Sequence, residues 1–209
     1  MKSGGSSSIA EQEAFQLQDS GANPSLSLQT SLFNDPRREV SSPKEFNIRS
    51  IKAKYACELN AIWHSRFPSI HWSNVVRSRF YVCYILELNS IAYGVAIWSS
   101  PIAANRLKDG QRLLELRRMA LSPECPKNTA TWMLARMKED ITKRFPDVIR
   151  LISYQDTEVH LGTIYKAANW KPVNTQTKFV SWFGHRTRNK EKTSATKTRW
   201  EIAIERKNK

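Results

Sequence analysis

The sequence has few cysteines, no long apolar run and a shortage of acidic side chains. Its three cysteines, Cys57, Cys83 and Cys125, have wide, unrelated spacings, which argues against a disulfide framework or a zinc knuckle and predicts a reducing cytoplasm. There is no run of about 18 apolar residues, so we expect no membrane span and no membrane partner. No basic start followed by an apolar stretch opens the chain, so we predict no secretory signal.

The chain does contain enough apolar material for a core, together with a large positive charge. It has 209 residues, of which 40% are hydrophobic and 10% aromatic, and this composition argues against global disorder. Lys and Arg number 33 against 19 Asp and Glu, for a net charge of +14. That excess favours polyanionic partners, above all nucleic acid, while the plain alternative is a basic protein with solvated lysines.

Composition divides the chain into a tail and one domain. Residues 1–44 are rich in Ser, Gly, Asn and Gln without sustained periodicity, and they predict a disordered tail. Residues 45–209 predict a single folded domain that includes a basic C-terminal loop or hairpin over 184–204.

Hydrophobic periodicity predicts alternating strands and helices in that domain. We predict strands at 46–49, 79–88, 91–98, 113–121 and 148–154, with closing strands within 170–184 and 198–204. The strands at 79–88 and 91–98 form a predicted hairpin that turns at Asn89-Ser90, with Gly94 as a candidate bulge. We predict helices at 129–145 and 162–169, and a first helix that is capped by Ser50, carries Ile51, Tyr55, Leu59 and Ile62 at helical spacing, and ends at Pro68. The fold class is therefore α/β (α+β): a mixed, mostly antiparallel sheet with one central parallel strand pair, flanked by helices. This element order is that of the GNAT acyltransferase fold.

Polar residues collect where the parallel strands are predicted to end. Loops at the carboxyl ends of parallel strands line the usual ligand crevice, and here they are 121–129 and 154–163. Asp156 could act there as a base, a metal ligand or a hydrogen-bond anchor, with Tyr154 beside it. Gly162 and Thr163 open a helix whose free amides could hold an anion, although a polar loop that caps its own helix is the alternative.

Three further side chains are candidates with structural alternatives. Glu115 and Arg117 share one strand face and could point into the crevice, or they could form a structural ion pair. His64 ends the first predicted helix and could face the crevice, or it could complement the helix C-terminus.

The loop before the long helix lacks glycine. An acyl-CoA-using GNAT enzyme normally has a glycine-rich loop here, where backbone amides approach the pyrophosphate closely. This chain has Cys125-Pro-Lys-Asn-Thr129 instead, which argues against acyl-CoA binding in the standard manner. Asn128 and Thr129 could still cap the helix and offer a polar site for a cofactor.

The domain contains the motifs Glu115-Leu-Arg-Arg-Met, Pro126-Lys-Asn-Thr-Ala-Thr-Trp, Ser153-Tyr-Gln-Asp, and His160-Leu-Gly-Thr-Ile-Tyr-Lys-Ala-Ala-Asn-Trp170, and its first predicted helix ends in His64-Ser-Arg-Phe-Pro68. Together these motifs resemble the phage Mom family, whose members are GNAT-like DNA-modification enzymes. The resemblance implies transfer of a carbamoylmethyl group to N6 of adenine, which blocks host restriction, in a host bacterial cytoplasm. It implies roles near the chemistry for Ser153, Tyr154, Asp156 and Tyr165, and a bound iron rather than acyl-CoA. Asp156, Tyr154 and His64 are the candidate iron ligands.

The C-terminal arm, residues 185–200, independently suggests a polyanionic substrate. Cations and one aromatic residue alternate with polar residues, which suits contacts with phosphates and stacking on a base. The predicted DNA-binding residues are Arg186, Arg188, Lys190, Lys192, Lys197, Arg199 and Trp200. Reaching N6 in a duplex would require flipping the adenine out of the stack, or acting on an open strand.

Two other functions remain open at this point. The chain could be a catalytically inactive nucleic-acid-binding or inhibitor protein on a GNAT scaffold. It could also be an ordinary N-acyltransferase that acts on a small amine or a protein. The oligomeric state is open, with a homodimer as one option.

Overall fold

A computed structural model describes residues 39–63, 70–101, 112–157, 160–173 and 197–206. The strands are β1 (Asn47–Ile51), β2 (Tyr81–Leu88), β3 (Ile91–Ser99), β4 (Leu113–Leu121), β5 (Arg150–Asp156), β6 (Lys171–Val173) and β7 (Lys197–Ala203). The helices are α1 (Ala53–Trp63), α2 (Trp72–Val76), α3 (Thr129–Arg144) and α4 (Thr163–Ala167), and a 3₁₀ turn at Pro43–Glu45 precedes β1.

The seven strands form one sheet in the order β1-β2-β3-β4-β5-β7-β6. Only β4 and β5 pair in parallel, and every other neighbouring pair is antiparallel. Helix α3 connects these two parallel strands, as a parallel crossover requires. The structure thus confirms the predicted mixed sheet with one central parallel pair.

The predicted β2–β3 hairpin is also present. Its turn residues Asn89 and Ser90 have positive φ angles of 51° and 66°, as a tight two-residue hairpin turn requires. The register shifts next to Gly94, leaving Tyr93 as the extra residue of the predicted bulge. A Cβ atom at Gly94 would lie 2.5 Å from Leu121 Cδ2, so a larger residue there would require the Leu121 side chain to move.

Apolar side chains cover both faces of the sheet. The buried stripe of α3 packs on one face and contains Met133, Leu134, Met137 and Ile141, as its helical period predicts. Helices α1 and α2 cover the opposite face and contribute Ala53, Ala56, Cys57, Leu59 and Val75 to a second cluster. The second cluster covers β2, β3 and the end of β4. We call this face of the sheet the α1 side and the opposite face the α3 side.

The structure corrects two predicted elements and adds one that was not predicted. Ser50 is not a helix cap: it lies in β1, which continues to the buried Ile51, and α1 begins only at Ala53. Ile51 pairs with β2 instead of starting a helical stripe, although its spacing to Tyr55 fits a helix. Helix α2, capped by the His71 side chain, was not predicted. Strand β5 runs two residues beyond the predicted 148–154, so Asp156 is its last residue and not part of the following loop.

No helix in the described ranges is long and apolar enough to cross a membrane. Nearly all of the predicted N-terminal tail, and the end of the first predicted helix with His64 and Pro68, lie outside the described residues.

Candidate active site

The parallel strands β4 and β5 separate at their carboxyl ends. They pair from Leu113 opposite Arg150 only as far as Leu116 opposite Ser153. The register of β4 against β3 shifts at the same level, which makes Arg117 an extra, bulged residue. Beyond it β4 continues against β3, while β5 continues against β7. We call the gap between residues 117–121 and 154–156 the crevice.

Strand alternation places Tyr154 and Asp156 on the α1 side of the sheet. Leu151 belongs to the core cluster under α3, and successive residues of a strand point to opposite faces. Ser153 and Gln155 therefore share the α3 side. Asp156 is 5% exposed at the end of β5, and Tyr154 is half-buried. The structure brings these two predicted site residues together beside the crevice.

Glu115 and Arg117 form a partly buried ion pair on the same side. Arg117 Nε lies 4.0 Å from Glu115 Oε1, and Arg117 Nη1 donates a hydrogen bond to Ser99 Oγ over 3.0 Å. Burial lowers the pKa of the Arg117 and Arg118 guanidinium groups, and Glu115 opposes this shift in both. The distance supports the ion-pair alternative, and a role of the two residues in chemistry stays a prediction.

Ser153 and Tyr165 meet on the other side of the sheet, where Ser153 Oγ lies 2.8 Å from Tyr165 Oη. The Tyr165 ring stacks on Trp200, with 5.4 Å between centroids, and meets Trp170 edge-on. Burial raises the pKa of Tyr165, so its phenol is protonated at neutral pH. These two predicted residues therefore form a buried pair between β5 and α4, on the face of β5 opposite to Tyr154 and Asp156.

The prediction that Trp200 contacts DNA is wrong. Trp200 is 3% exposed, and its indole Nε1 donates a hydrogen bond to Gln155 Oε1 over 2.6 Å. The pairing of β5 with β7 places it opposite Ser153, which turns its ring into the core under α4. A ring held in this way cannot stack on a DNA base.

Gln155 also binds the loop that follows β5. Its Nε2 donates to the carbonyl oxygen of His160, whose own N–H donates to Asp156 O over 3.1 Å. Gly162 has a φ of 70°, and a Cβ atom there would collide with the side chains of Gln155 and Trp200. The glycine therefore permits close packing of the loop on β5.

Of the residues predicted to bind a cofactor, one already has an internal hydrogen bond. The buried Thr129 donates its hydroxyl to Pro126 O over 2.7 Å, within its own turn. Asn128 is the N-cap of α3 in a left-handed conformation with a φ of 68°, and its side chain makes no capping bond. Thr163 is exposed at the start of α4. A cofactor role for these residues and for Gly162 stays a prediction.

A metal site is not assembled by the described residues alone. They contain no group of three or more His, Cys, Asp or Glu side chains arranged to hold an ion. Tyr154 and Asp156 would supply two oxygen donors on one strand face, whereas His64 lies outside the described residues. Iron sites of the two-His-one-carboxylate type need three protein ligands, so the described part does not by itself fit one.

Two predicted DNA-binding cations lie beside the crevice. Lys197 is opposite Asp156 and Arg199 is opposite Tyr154 in the β5–β7 ladder, so all four share the α1 side. Arg199 Nε is already engaged, 2.7 Å from Glu201 Oε1. The other four predicted cations, Arg186, Arg188, Lys190 and Lys192, lie outside the described residues.

Sequence reasoning missed Asn60. It is fully buried in α1, and within the described residues neither its Oδ1 nor its Nδ2 has a hydrogen-bond partner. It lies one helical turn beyond Cys57, whose thiol pKa burial raises to about 11, with nearby Glu58 adding to the shift and Arg117 opposing it. An asparagine within the apolar stripe of α1 was the available sequence signal, since buried polar groups normally have a partner.

The fold is similar to solved acetyltransferases at low sequence identity. A GNAT-family acetyltransferase from Streptococcus pneumoniae gives a TM-score of 0.53 at 13% identity, covering 77% of this chain and 100% of that chain. A spermidine N-acetyltransferase from Vibrio cholerae, solved with CoA and spermine, gives 0.52 at 11% identity, covering 77% and 96%. The ribosomal-protein-S18-alanine N-acetyltransferase from Escherichia coli gives 0.50 at 12% identity, covering 76% and 92%. These matches identify the GNAT fold.

The amino-acid sequence shows to which protein family the chain belongs. The sequence pattern of the Mom protein family matches residues 45–209, nearly four fifths of the chain. The chain therefore belongs to the Mom protein family, which confirms the resemblance carried by the motifs of β4, β5 and α4. A comparison with curated proteins gives no match.

Proposed function

We propose that this protein is a DNA-modification enzyme that transfers a carbamoylmethyl-like group to N6 of adenine and so protects DNA against restriction. Membership of the Mom family supports DNA modification as the general role. The observation that supports the choice of active site is the position of Asp156, which is buried at the end of β5, beside the crevice and opposite Lys197.

The proposed chemistry replaces one N–H bond of the adenine amino group by an N–C bond to the carbamoylmethyl carbon. That carbon loses its bond to the donor molecule, whose leaving group departs with the electron pair of the broken bond. The departing proton needs an acceptor, and Asp156 is the carboxylate that we assign to this role. We assign Tyr154, on the same strand face, to orient the adenine base or to take part in the transfer of this proton. Lys197 lies on the neighbouring strand β7, where its positive charge favours the approach of a phosphate backbone, whereas the charge of Arg199 is paired with Glu201.

The positive charge of the chain fits this substrate. Residues 1–43 contain three basic and five acidic side chains, so the remainder, which includes the family-matched part, carries a net charge of +16. Such a charge distribution favours binding to a polyanion. This binding does not depend on nucleotide sequence and weakens as the salt concentration rises. The glycine-free loop before α3 argues against acyl-CoA as the donor, because close backbone approach to a pyrophosphate usually relies on glycine there.

The proposed binding of iron can be tested by measuring the metal content of the protein, without an activity assay. The ligand set proposed for it is Asp156, Tyr154 and His64, of which the structure describes the first two. Protein purified without chelators is expected to contain iron in proportion to protein, and Asp156→Asn is expected to lower that content. Equal metal content in both proteins would remove Asp156 from the ligand set.

Nucleoside analysis of a co-expressed plasmid tests the function. Plasmid from cells that express the wild-type chain should contain a deoxyadenosine that is heavier by one carbamoylmethyl group in place of a hydrogen. It should also resist cleavage by restriction enzymes with adenine in their sites. An acetylated nucleoside would instead support acyl transfer, and unaltered nucleosides together with DNA binding would support an inactive binding protein.

A further inference from the structure

The loop between β5 and α4 carries one apolar side chain that is almost entirely exposed to solvent. Leu161 is 86% exposed, far more than any other large hydrophobic side chain in the described ranges. The next most exposed is Ile149 at 49%. A single exposed leucine on a protein surface is common and needs no explanation by itself. The backbone that carries Leu161 is what makes it unusual.

That backbone is fixed on both sides of Leu161. On one side, the His160 carbonyl accepts a hydrogen bond from Gln155, and the His160 N–H donates to Asp156 O over 3.1 Å. On the other side, Gly162 packs so closely on Gln155 and Trp200 that a Cβ atom has no room. Gln155 is in turn held by Trp200 in the core. The protein therefore presents Leu161 on a rigid base, five residues after Asp156.

The residues next to Leu161 in the chain are mostly polar. His160, Thr163 and Lys166 are exposed, and Lys171 follows in β6. From 157 to 173 the sequence has one acidic residue, Glu158, and two lysines. An apolar tip within such surroundings suits a duplex, whose phosphates are anionic and whose stacked bases are apolar.

We propose that Leu161 inserts into the DNA duplex at the target adenine and fills the space that the extruded base leaves. This inference rests on the proposed function, because only chemistry on a base within a duplex needs the base to leave the stack. Proteins that unstack DNA use apolar wedges of this kind, and leucine is among the residues employed. The wedge would act near the crevice because its loop begins directly after Asp156.

The test compares Leu161→Ala with the matched control Ile149→Ala. Ile149 is also an exposed aliphatic side chain, but it precedes β5 and so lies at the opposite end of the strand from Asp156. Both variants should keep the wild-type melting temperature, because neither side chain is buried. Plasmid co-expressed with Leu161→Ala should contain at least tenfold less modified adenine, with Ile149→Ala unchanged and Leu161→Met largely restored.

A binding measurement tests the wedge without the chemistry. Fluorescence anisotropy with the purified full chain compares an intact duplex with the same duplex carrying one abasic site, where the gap already exists. Wild-type protein should bind the abasic duplex at least fivefold more tightly, and Leu161→Ala should lose this preference. Equal binding of both duplexes by the wild-type protein, or an unchanged preference in Leu161→Ala, would overturn the inference. Absence of modified nucleoside with a retained Leu161-dependent preference would instead count against the proposed function alone.

Discussion

The hydroxyl oxygen of Ser153 lies 2.8 Å from the phenolic oxygen of Tyr165, and both residues are buried. This hydrogen bond joins β5 to α4 beneath the loop that carries Leu161. Apolar rings surround it, because Tyr165 contacts both Trp170 and Trp200. A polar pair in such surroundings is stable only while both partners are present.

Tyr165→Phe should lower the free energy of unfolding by about 1–3 kcal/mol, because it leaves the buried Ser153 hydroxyl without its partner. Urea unfolding followed by tryptophan fluorescence measures this change. Ser153→Ala should have a similar effect, and the double variant should cost less than the two single changes together. Strictly additive costs would show that the two hydroxyls are not coupled.

Asn60→Leu should raise the free energy of unfolding by about 1 kcal/mol, because it removes a buried amide whose polar atoms have no partner among the residues that the structure describes. Leucine has a similar size and adds apolar contacts with the α1 side of the core. Thermal unfolding compares it with Asn60→Asp, which should destabilise strongly because it buries a charge. A loss of stability in Asn60→Leu would mean that the amide makes favourable interactions in solution.

Stability should fall as the pH rises from about 9 to 11. Burial raises the pKa of the Cys57 thiol from 9.0 to about 11, and burial also raises the pKa of Tyr165. Above the ordinary pKa values the folded state therefore holds more protons than the unfolded state, so the free energy of unfolding decreases with pH.

Urea titrations at pH 7, 9, 10 and 11 measure this decrease. Cys57→Ala should reduce the slope between pH 9 and 11, whatever its effect on stability at pH 7. An unchanged slope would contradict the assigned burial of the thiol.

The C-terminal arm should carry part of the salt-dependent affinity for DNA. A Lys190→Gln/Lys192→Gln double variant should weaken binding to every sequence and reduce the slope of log affinity against log salt by about 0.9 per lost phosphate contact. The charge-matched control is Lys54→Gln/Lys143→Gln, which removes two exposed lysines from α1 and α3. Equal slopes for the two double variants would assign no special role to the arm.

Local patterns were enough to predict most of the fold. The β2–β3 turn at Asn89 and Ser90, the bulge beside Gly94 and the apolar stripe of α3 all follow from neighbouring residues. Ile51 shows where this reasoning fails, because the same spacing fits a helical stripe and the end of a strand. Only the pairing of Ile51 with Cys83 in β2 decides between them.

The arrangement of the site residues was harder to predict than the fold, because it depends on pairing between strands that are far apart in the sequence. Trp200 follows a basic segment and reads as a surface aromatic, yet its place opposite Ser153 in the β5–β7 ladder buries it. The same ladder places Lys197 opposite Asp156, 41 positions earlier in the sequence. Gln155, which holds both Trp200 and the loop after β5, also acquires its role only through that pairing.

The most direct measurement of the central claim is the modified-adenine content of plasmid DNA co-expressed with Asp156→Asn. The matched control is Asp147→Asn, which changes an exposed carboxylate, paired with Arg112, before the start of β5. We expect Asp156→Asn to abolish the modified nucleoside in a folded protein and Asp147→Asn to leave it at the wild-type level. Full modification by folded Asp156→Asn would contradict the assignment of the crevice as the active site.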